Sequence, residues 1–112
     1  MIDAGCRLAT YGSLAPGQAN HHHLAGLDGR WLEGTVRGEL HPAGWGAAIG
    51  FPGITLNEDG PAVPVHVFES ADLVDHWARL DAFEGEEYHR VTAVVHTAGE
   101  DVDAYIYTLA IS

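Results

Sequence analysis

The chain has 112 residues, 46% of them hydrophobic and 19% charged, which fits one globular domain spanning residues 1–112. A chain of this length buries about two-thirds of its unfolded surface and needs no disulfide or metal to hold it together. Its formal charge of −11, from five basic against sixteen acidic residues, excludes partners with a nucleic-acid backbone and argues against anionic membranes.

The N-terminal MIDAGCRLATY lacks a basic segment followed by an apolar one, so no signal peptide is expected there. No apolar run approaches about 18 residues, so the expected location is the cytoplasm. CRLATY, residues 6–11, reads as a first strand stopped by Gly12, with the lone Cys6 as a small core residue. A turn-rich loop, SLAPGQAN, follows. HHHLAGLDG then suggests a short helical turn ended by Gly26 or Gly29. RWLEGTVRGELH, residues 30–41, alternates as one long or two short strands, and PAGWGAAIGFPG is a loop around a short apolar piece. ITLNEDGPAVPVHVFE predicts a strand, a turn at Asn57–Gly60 and a second strand. Pro64 places that second strand at an edge or a bend. RVTAVVHT and VDAYIYTLAI are the last two strands.

Residues 70–85, SADLVDHWARLDAFEG, have helical spacing instead. Ser70 is placed to cap the helix and Asp72 to meet its dipole. Gly85 fits the left-handed position that ends it. About six short strands and one helix make an α+β protein whose sheet curls into a small mixed barrel.

Four carboxylates crowd the end of this helix: Asp81, Glu84, Glu86 and Glu87. Leu73, Trp77 and Leu80 form one apolar stripe, and at about 100° per residue Glu84 falls within roughly 40° of it. Asp81 lies about 60–80° to one side, while Asp72, Asp75 and Arg79 take the polar face. Two readings fit an inward carboxylate. It is either a structural acceptor paired with an N–H or with an arginine such as Arg90, or a general acid/base whose pKa desolvation raises toward neutrality.

Tyr11-Gly12-Ser13-Leu14 follows the first strand. Gly12 allows successive N–H groups to converge on an anion without cationic side chains, which suits an acidic protein; a plain turn has the same residues. Ser13 lacks the G-x-S-x-G frame of a nucleophile. His21, His22 and His23 lack the spacing of metal ligands and read as solvated loop residues, so no metal is expected. Trp31, Trp45 and Trp77 read as core or pocket wall.

Four short motifs in order resemble the gamma-glutamylcyclotransferase superfamily: Tyr11–Leu14, Leu80–Gly85, Tyr88 with Arg90, and Ala104–Tyr107. The resemblance implies a small mixed β-barrel flanked by short helices. It also implies a reaction in which the α-amine of a gamma-glutamyl group attacks its own γ-carbonyl, giving 5-oxoproline and a free amine. By the same resemblance Glu84 is the general acid/base. The Tyr11–Leu14 loop holds the small-molecule gamma-glutamyl substrate through backbone N–H groups, and Tyr88 joins it in substrate binding. Such chemistry needs no cofactor: the attack is intramolecular, one carboxyl group moves both protons, and backbone amides stabilise the oxyanion. A silent binding domain of the same fold, or a relative that hydrolyses amides or assists decarboxylation, are the alternatives; the presence of Glu84 favours an enzyme. The leaving amine and the oligomeric state are not encoded in these motifs.

Overall fold

The computed structural model describes residues 4–12, 24, 26–41 and 53–109. Within them lie strands β1 (Arg7–Thr10), β2 (Arg30–His41), β3 (Gly53–Leu56), β4 (Ala62–Glu69), β5 (Tyr88–Thr97) and β6 (Asp101–Leu109). Helix α1 covers Trp77–Glu84, and 3₁₀ turns cover Ala4–Cys6 and Ala71–Asp75. The expected first strand begins one residue late. Cys6 closes a 3₁₀ turn, and its carbonyl accepts from the Ser70 N–H. Ser13, Leu14, His21–His23 and Trp45 lie outside the described residues.

The fold is a closed mixed barrel. β2, β4, β1, β6 and β5 follow one another around it, and a β2–β5 pairing at Gly34–Thr97 and Thr35–His96 completes the circle. β1 and β6 run parallel; the other neighbours are antiparallel. β3 is an additional strand on β2.

Alternation along the strands sorts side chains into two cores. Ala9, Val36, Val63, Val65, Val67, Ala93, Val95, Ala104 and Ile106 belong to one cluster. Their neighbours Leu8, Phe68 and Tyr107 belong to the other, together with Leu73, Trp77 and Leu80 from the helical segment. The first fills the barrel with small and β-branched side chains; the second sits between the barrel wall and the helical segment.

Residues 54–69 form the strand, turn and second strand that their sequence predicts, but the two strands do not make a hairpin. The turn at Asn57–Gly60 is present, with Gly60 N–H donating to the Asn57 carbonyl. The strands on either side do not pair with each other. β3 lies against Gly38–His41 of β2, and β4 lies against Arg30–Arg37. The connection crosses β2 where Asn57 N–H donates to Arg37 and Gly38 N–H donates to Pro61. Pro64 is tolerated because β1 reaches along β4 only to His66. The strand is central in one half and has an uncovered edge in the other.

The helical segment is also divided. Ser70 accepts from Asp72 N–H and donates to the Asp28 carbonyl, capping a 3₁₀ turn and not a long helix. His76 marks the break, and α1 proper starts at Trp77. Val, Asp and His at positions 74–76 are weak helix formers, so the tighter turn is not opposed by propensity. Among the described residues, no helix is long and apolar enough to cross a membrane.

Barrel closure depends on the absence of a side chain at Gly34. A Cβ there would lie 2.6 Å from Val95 Cγ1 and 2.8 Å from the His96 carbonyl oxygen. Gly34→Ala is expected to cost about 1–3 kcal/mol through overpacking. Gly99→Ala, whose Cβ would meet nothing within 4 Å, should be close to neutral. Denaturant midpoints of the two variants check this, and equal midpoints would show that the seam has slack.

Candidate active site

The stripe read from sequence faces inward as a unit. Leu73 and Leu80 are fully buried, and Trp77 and Glu84 retain only 8% and 9% exposure. The position that periodicity assigns to an apolar residue therefore holds a carboxyl group. α1 stops directly afterwards, where Gly85 adopts φ 78° and donates its N–H to the Asp81 carbonyl at 3.0 Å. Only glycine takes that backbone readily, so the helix end is fixed by sequence.

Burial pushes the Glu84 carboxyl up to about 7. A second buried acid shows that burial alone does not decide the outcome. Glu69 exposes as little of its surface, but Arg7 and Arg30 reach it at 2.9 and 2.8 Å. Burial raises Glu69 too, yet the two arginine hydrogen bonds outweigh it and hold the carboxyl below its usual range. Arg90, the arginine offered by sequence as a partner for Glu84, is instead bound to Asp81. Its Nε lies 3.0 Å from Oδ1 and its Nη2 3.2 Å from Oδ2.

Tyr11 follows β1 and packs against the barrel core. Its hydroxyl donates to the Tyr107 carbonyl at 2.7 Å and accepts from Ile54 N–H at 3.1 Å. Burial raises this hydroxyl well beyond the ordinary tyrosine range; the Ile54 N–H opposes the rise, and nearby Tyr88 and Glu84 add to it. Tyr11, Tyr88 and Glu84 are thus electrostatic neighbours. Tyr88 is buried at the start of β5. Gly12 lies at a bend after β1 and is partly exposed. Tyr11, Tyr88 and Glu84 thus lie within electrostatic range of one another, with Gly12 adjacent in the chain to Tyr11.

Sequence reasoning did not single out the side chain of Tyr107. Its hydroxyl donates to Asp81 Oδ1 at 2.7 Å. Burial first, and this bond second, push it well above its ordinary range. A recess of about 300 Å³ is lined by Asp81, Gly85, Tyr88, His89, Arg90 and Tyr107. The signal was present in the motifs, because Asp81, Arg90 and Tyr107 each belong to one of them. Among the described residues, no three His, Cys, Asp or Glu side chains are grouped to hold a metal ion. A carboxyl that burial pushes up to about 7 is a candidate for proton exchange near neutral pH.

Solved structures share this fold. YkqA from Bacillus subtilis aligns with a TM-score of 0.73 and 28% identity over 96% of this chain and 36% of its own. The chain thus spans about a third of that protein. An AIG2-like protein from Mus musculus aligns with a TM-score of 0.71 and 24% identity, over 94% of this chain and 77% of its own. Allophanate hydrolase from Kluyveromyces lactis contains the fold within 17% of its length, at 19% identity, 91% coverage of this chain and a TM-score of 0.66. No curated protein matches the chain. The family profile described as "Gamma-glutamyl cyclotransferase, AIG2-like" covers residues 8–111, which takes in every strand of the barrel and the helix that carries Glu84, and the chain belongs to that family.

Proposed function

We propose that the protein is a cyclotransferase that converts a small gamma-glutamyl amide to 5-oxoproline and a free amine, with Glu84 as the general acid/base. The observation that carries this reading is a carboxyl buried on the inward stripe of the helical segment, where burial pushes it up to about 7. The ionised form of Glu84 takes a proton from the substrate ammonium. The freed amine attacks the γ-carbonyl and closes a five-membered ring. The protonated form of Glu84 then gives that proton to the departing nitrogen as the C–N bond breaks; the carboxylate so regenerated takes the second proton that the ring nitrogen must shed and passes it to the released amine, which leaves as an ammonium, so one residue serves every transfer. Both forms are well populated at neutral pH, the condition under which a proton carrier works best.

Tyr11 acts differently. Its hydroxyl proton is committed to the Tyr107 carbonyl, and its pKa lies far from neutrality, so it shapes the wall instead of moving protons. Tyr88 forms the wall with it. The Tyr11–Leu14 loop supplies N–H groups to the substrate and to the oxyanion. The reaction requires no diffusing second reactant, so holding the amine against the carbonyl supplies much of the acceleration. The compartment proposed for this activity is the cytoplasm.

Incubation with a panel of gamma-glutamyl amines and dipeptides, with 5-oxoproline read by mass spectrometry, tests the reaction. Glu84→Gln keeps size and hydrogen-bonding capacity but cannot exchange a proton near neutrality. Turnover should fall by roughly two to four orders of magnitude while substrate binding is largely kept. Glu86→Gln and Glu87→Gln, at exposed positions beyond the helix, should match the unsubstituted protein. Normal turnover by Glu84→Gln would place the chemistry elsewhere.

Stability gives an independent check. Below pH 4.5 both folded and unfolded chains hold the Glu84 proton, and the group costs nothing. As pH rises from 4.5 to about 7, the unfolded chain releases its proton while the folded site retains it, so the folded state loses stability. Above that window the penalty is complete and on the order of 3 kcal/mol. Glu84→Gln should therefore match the unsubstituted protein at pH 4 and exceed it at pH 8.5 in denaturant titrations. A variant that is less stable at pH 8.5 would mark Glu84 as a structural acceptor.

A further inference from the structure

Among the residues of the motifs LDAFEG, YHR and AYIY that the proposed chemistry does not use are four with polar or aromatic groups in contact. These are Asp81, Arg90, Tyr105 and Tyr107, and they converge on one point. We infer that Asp81 is a positioning residue: its carboxylate, clasped by Arg90 and by the Tyr107 hydroxyl, fixes the last turn of α1 against β5 and β6 and so holds Glu84 where it works. The inference rests on the reading of Glu84 as the proton carrier.

The geometry gives Asp81 three attachments. Arg90 forms a two-nitrogen fork to its two oxygens at 3.0 and 3.2 Å. The Tyr107 hydroxyl reaches Oδ1 at 2.7 Å. The backbone carbonyl takes the Gly85 N–H, immediately after Glu84. The fork itself is braced, because the guanidinium carbon lies 4.7 Å from the ring centres of both Trp77 and Tyr105. Trp77 is the first residue of α1, so the same cation touches the helix at its start and again one turn later at Asp81. Tyr107 carries the connection further: its carbonyl accepts the Tyr11 hydroxyl, at the start of the proposed substrate loop. Asp81 thus ties the Glu84 helix, through β6, to the Tyr11 side of the site.

Energy does not explain this arrangement well. The Asp81 side chain is 43% exposed and Arg90 is 26% exposed, and pairs this accessible to water stabilise a fold only slightly. Position is another matter. A displacement of about 1 Å between reacting groups can cost up to roughly 100-fold in rate, and a rigid fork on one side of a short helix controls such displacements.

The test compares Asp81→Ala and Asp81→Asn with the unsubstituted protein. Asp81→Ala should lower kcat by roughly 10- to 100-fold with KM little changed, and the denaturant midpoint should fall modestly, because the Tyr107 hydroxyl loses its acceptor. Two readouts need no substrate. Amide hydrogen exchange at Glu84 and Gly85 should quicken in Asp81→Ala, and the NMR titration of the Glu84 carboxyl should move below its position in the unsubstituted protein as water gains access. Asp81→Asn keeps an acceptor for Tyr107 and removes the charge, so its effects should be smaller on every readout. Unchanged exchange and titration in Asp81→Ala would overturn the inference. So would an Asp81→Asn titration shifted as far as that of Asp81→Ala, since the effect would then be charge alone. Should Asp81→Ala fail to fold, Asp81→Asn decides: altered exchange near Gly85 supports the inference, and wild-type exchange defeats it. An unsubstituted protein that releases no 5-oxoproline from any gamma-glutamyl amide would refute the cyclotransferase reading, and the two substrate-free readouts would then decide the positioning role.

Discussion

The desolvation of the Glu84 carboxyl is the constraint around which this small protein is organised. An inward stripe of Leu73 from the 3₁₀ turn with Trp77 and Leu80 from α1 leads to the acid, and the helix ends at the acid itself. Glu69 shows what the same chain does with a buried acid meant to be ionised. Arg7 and Arg30 stand directly opposite it on β1 and β2, in register across three adjacent strands. That cluster clips one end of the sheet and gains from being charged. Glu84 has tyrosines near it, and its carboxyl sits near neutrality.

The barrel makes this environment possible with few residues. Its interior is filled by Ala, Val and Ile, which lets five strands close tightly. The larger side chains, Phe68, Trp77, Tyr88 and Tyr107, lie in the second core, next to the helix. Bulk is therefore concentrated where a carboxyl must be shielded from water. The same division gives the aromatic strand β6 two roles. Ala104 and Ile106 pack into the barrel, while Tyr105 and Tyr107 brace the polar cluster around Asp81.

Local periodicity makes much of this legible in the sequence. The inward direction of Glu84 follows from residues four and seven positions earlier, because helical geometry is short-ranged. Gly85 is legible because ending a helix in a left-handed turn favours one residue type. The break at His76 is not, since weak propensities yield to tertiary packing. The β3–β4 crossing is also hidden: Asn57 and Gly60 announce a turn but not which edge of β2 the next strand will join. The Asp81 cluster can be found only by knowing that β5 and β6 flank the helix. Its members are in plain view in the motifs, yet their meeting is a long-range fact. Ser13 and Leu14 remain readings from sequence, outside the described residues.

Charge sets a last condition on the proposed chemistry. A gamma-glutamyl ligand brings at least one carboxylate to a protein of net charge −11. The chain has five basic side chains, all arginine, and each is already engaged. Arg7 and Arg30 hold Glu69. Arg37 donates to the Gly60 carbonyl at the β2 crossing, and Arg79 donates to His76 on the exposed face of the helical segment. Arg90, on β5, is committed to Asp81 through two nitrogens and lies in the corner made by the rings of Trp77 and Tyr105. A substrate carboxylate would thus have to rely largely on backbone N–H groups, and the sequence reading assigns that role to Tyr11–Leu14. Donors of that kind carry no counter-charge that could pull the Glu84 pKa down. An arginine next to Glu84 would favour its ionised form, so the poverty in free cations and the carboxyl pushed up to about 7 go together.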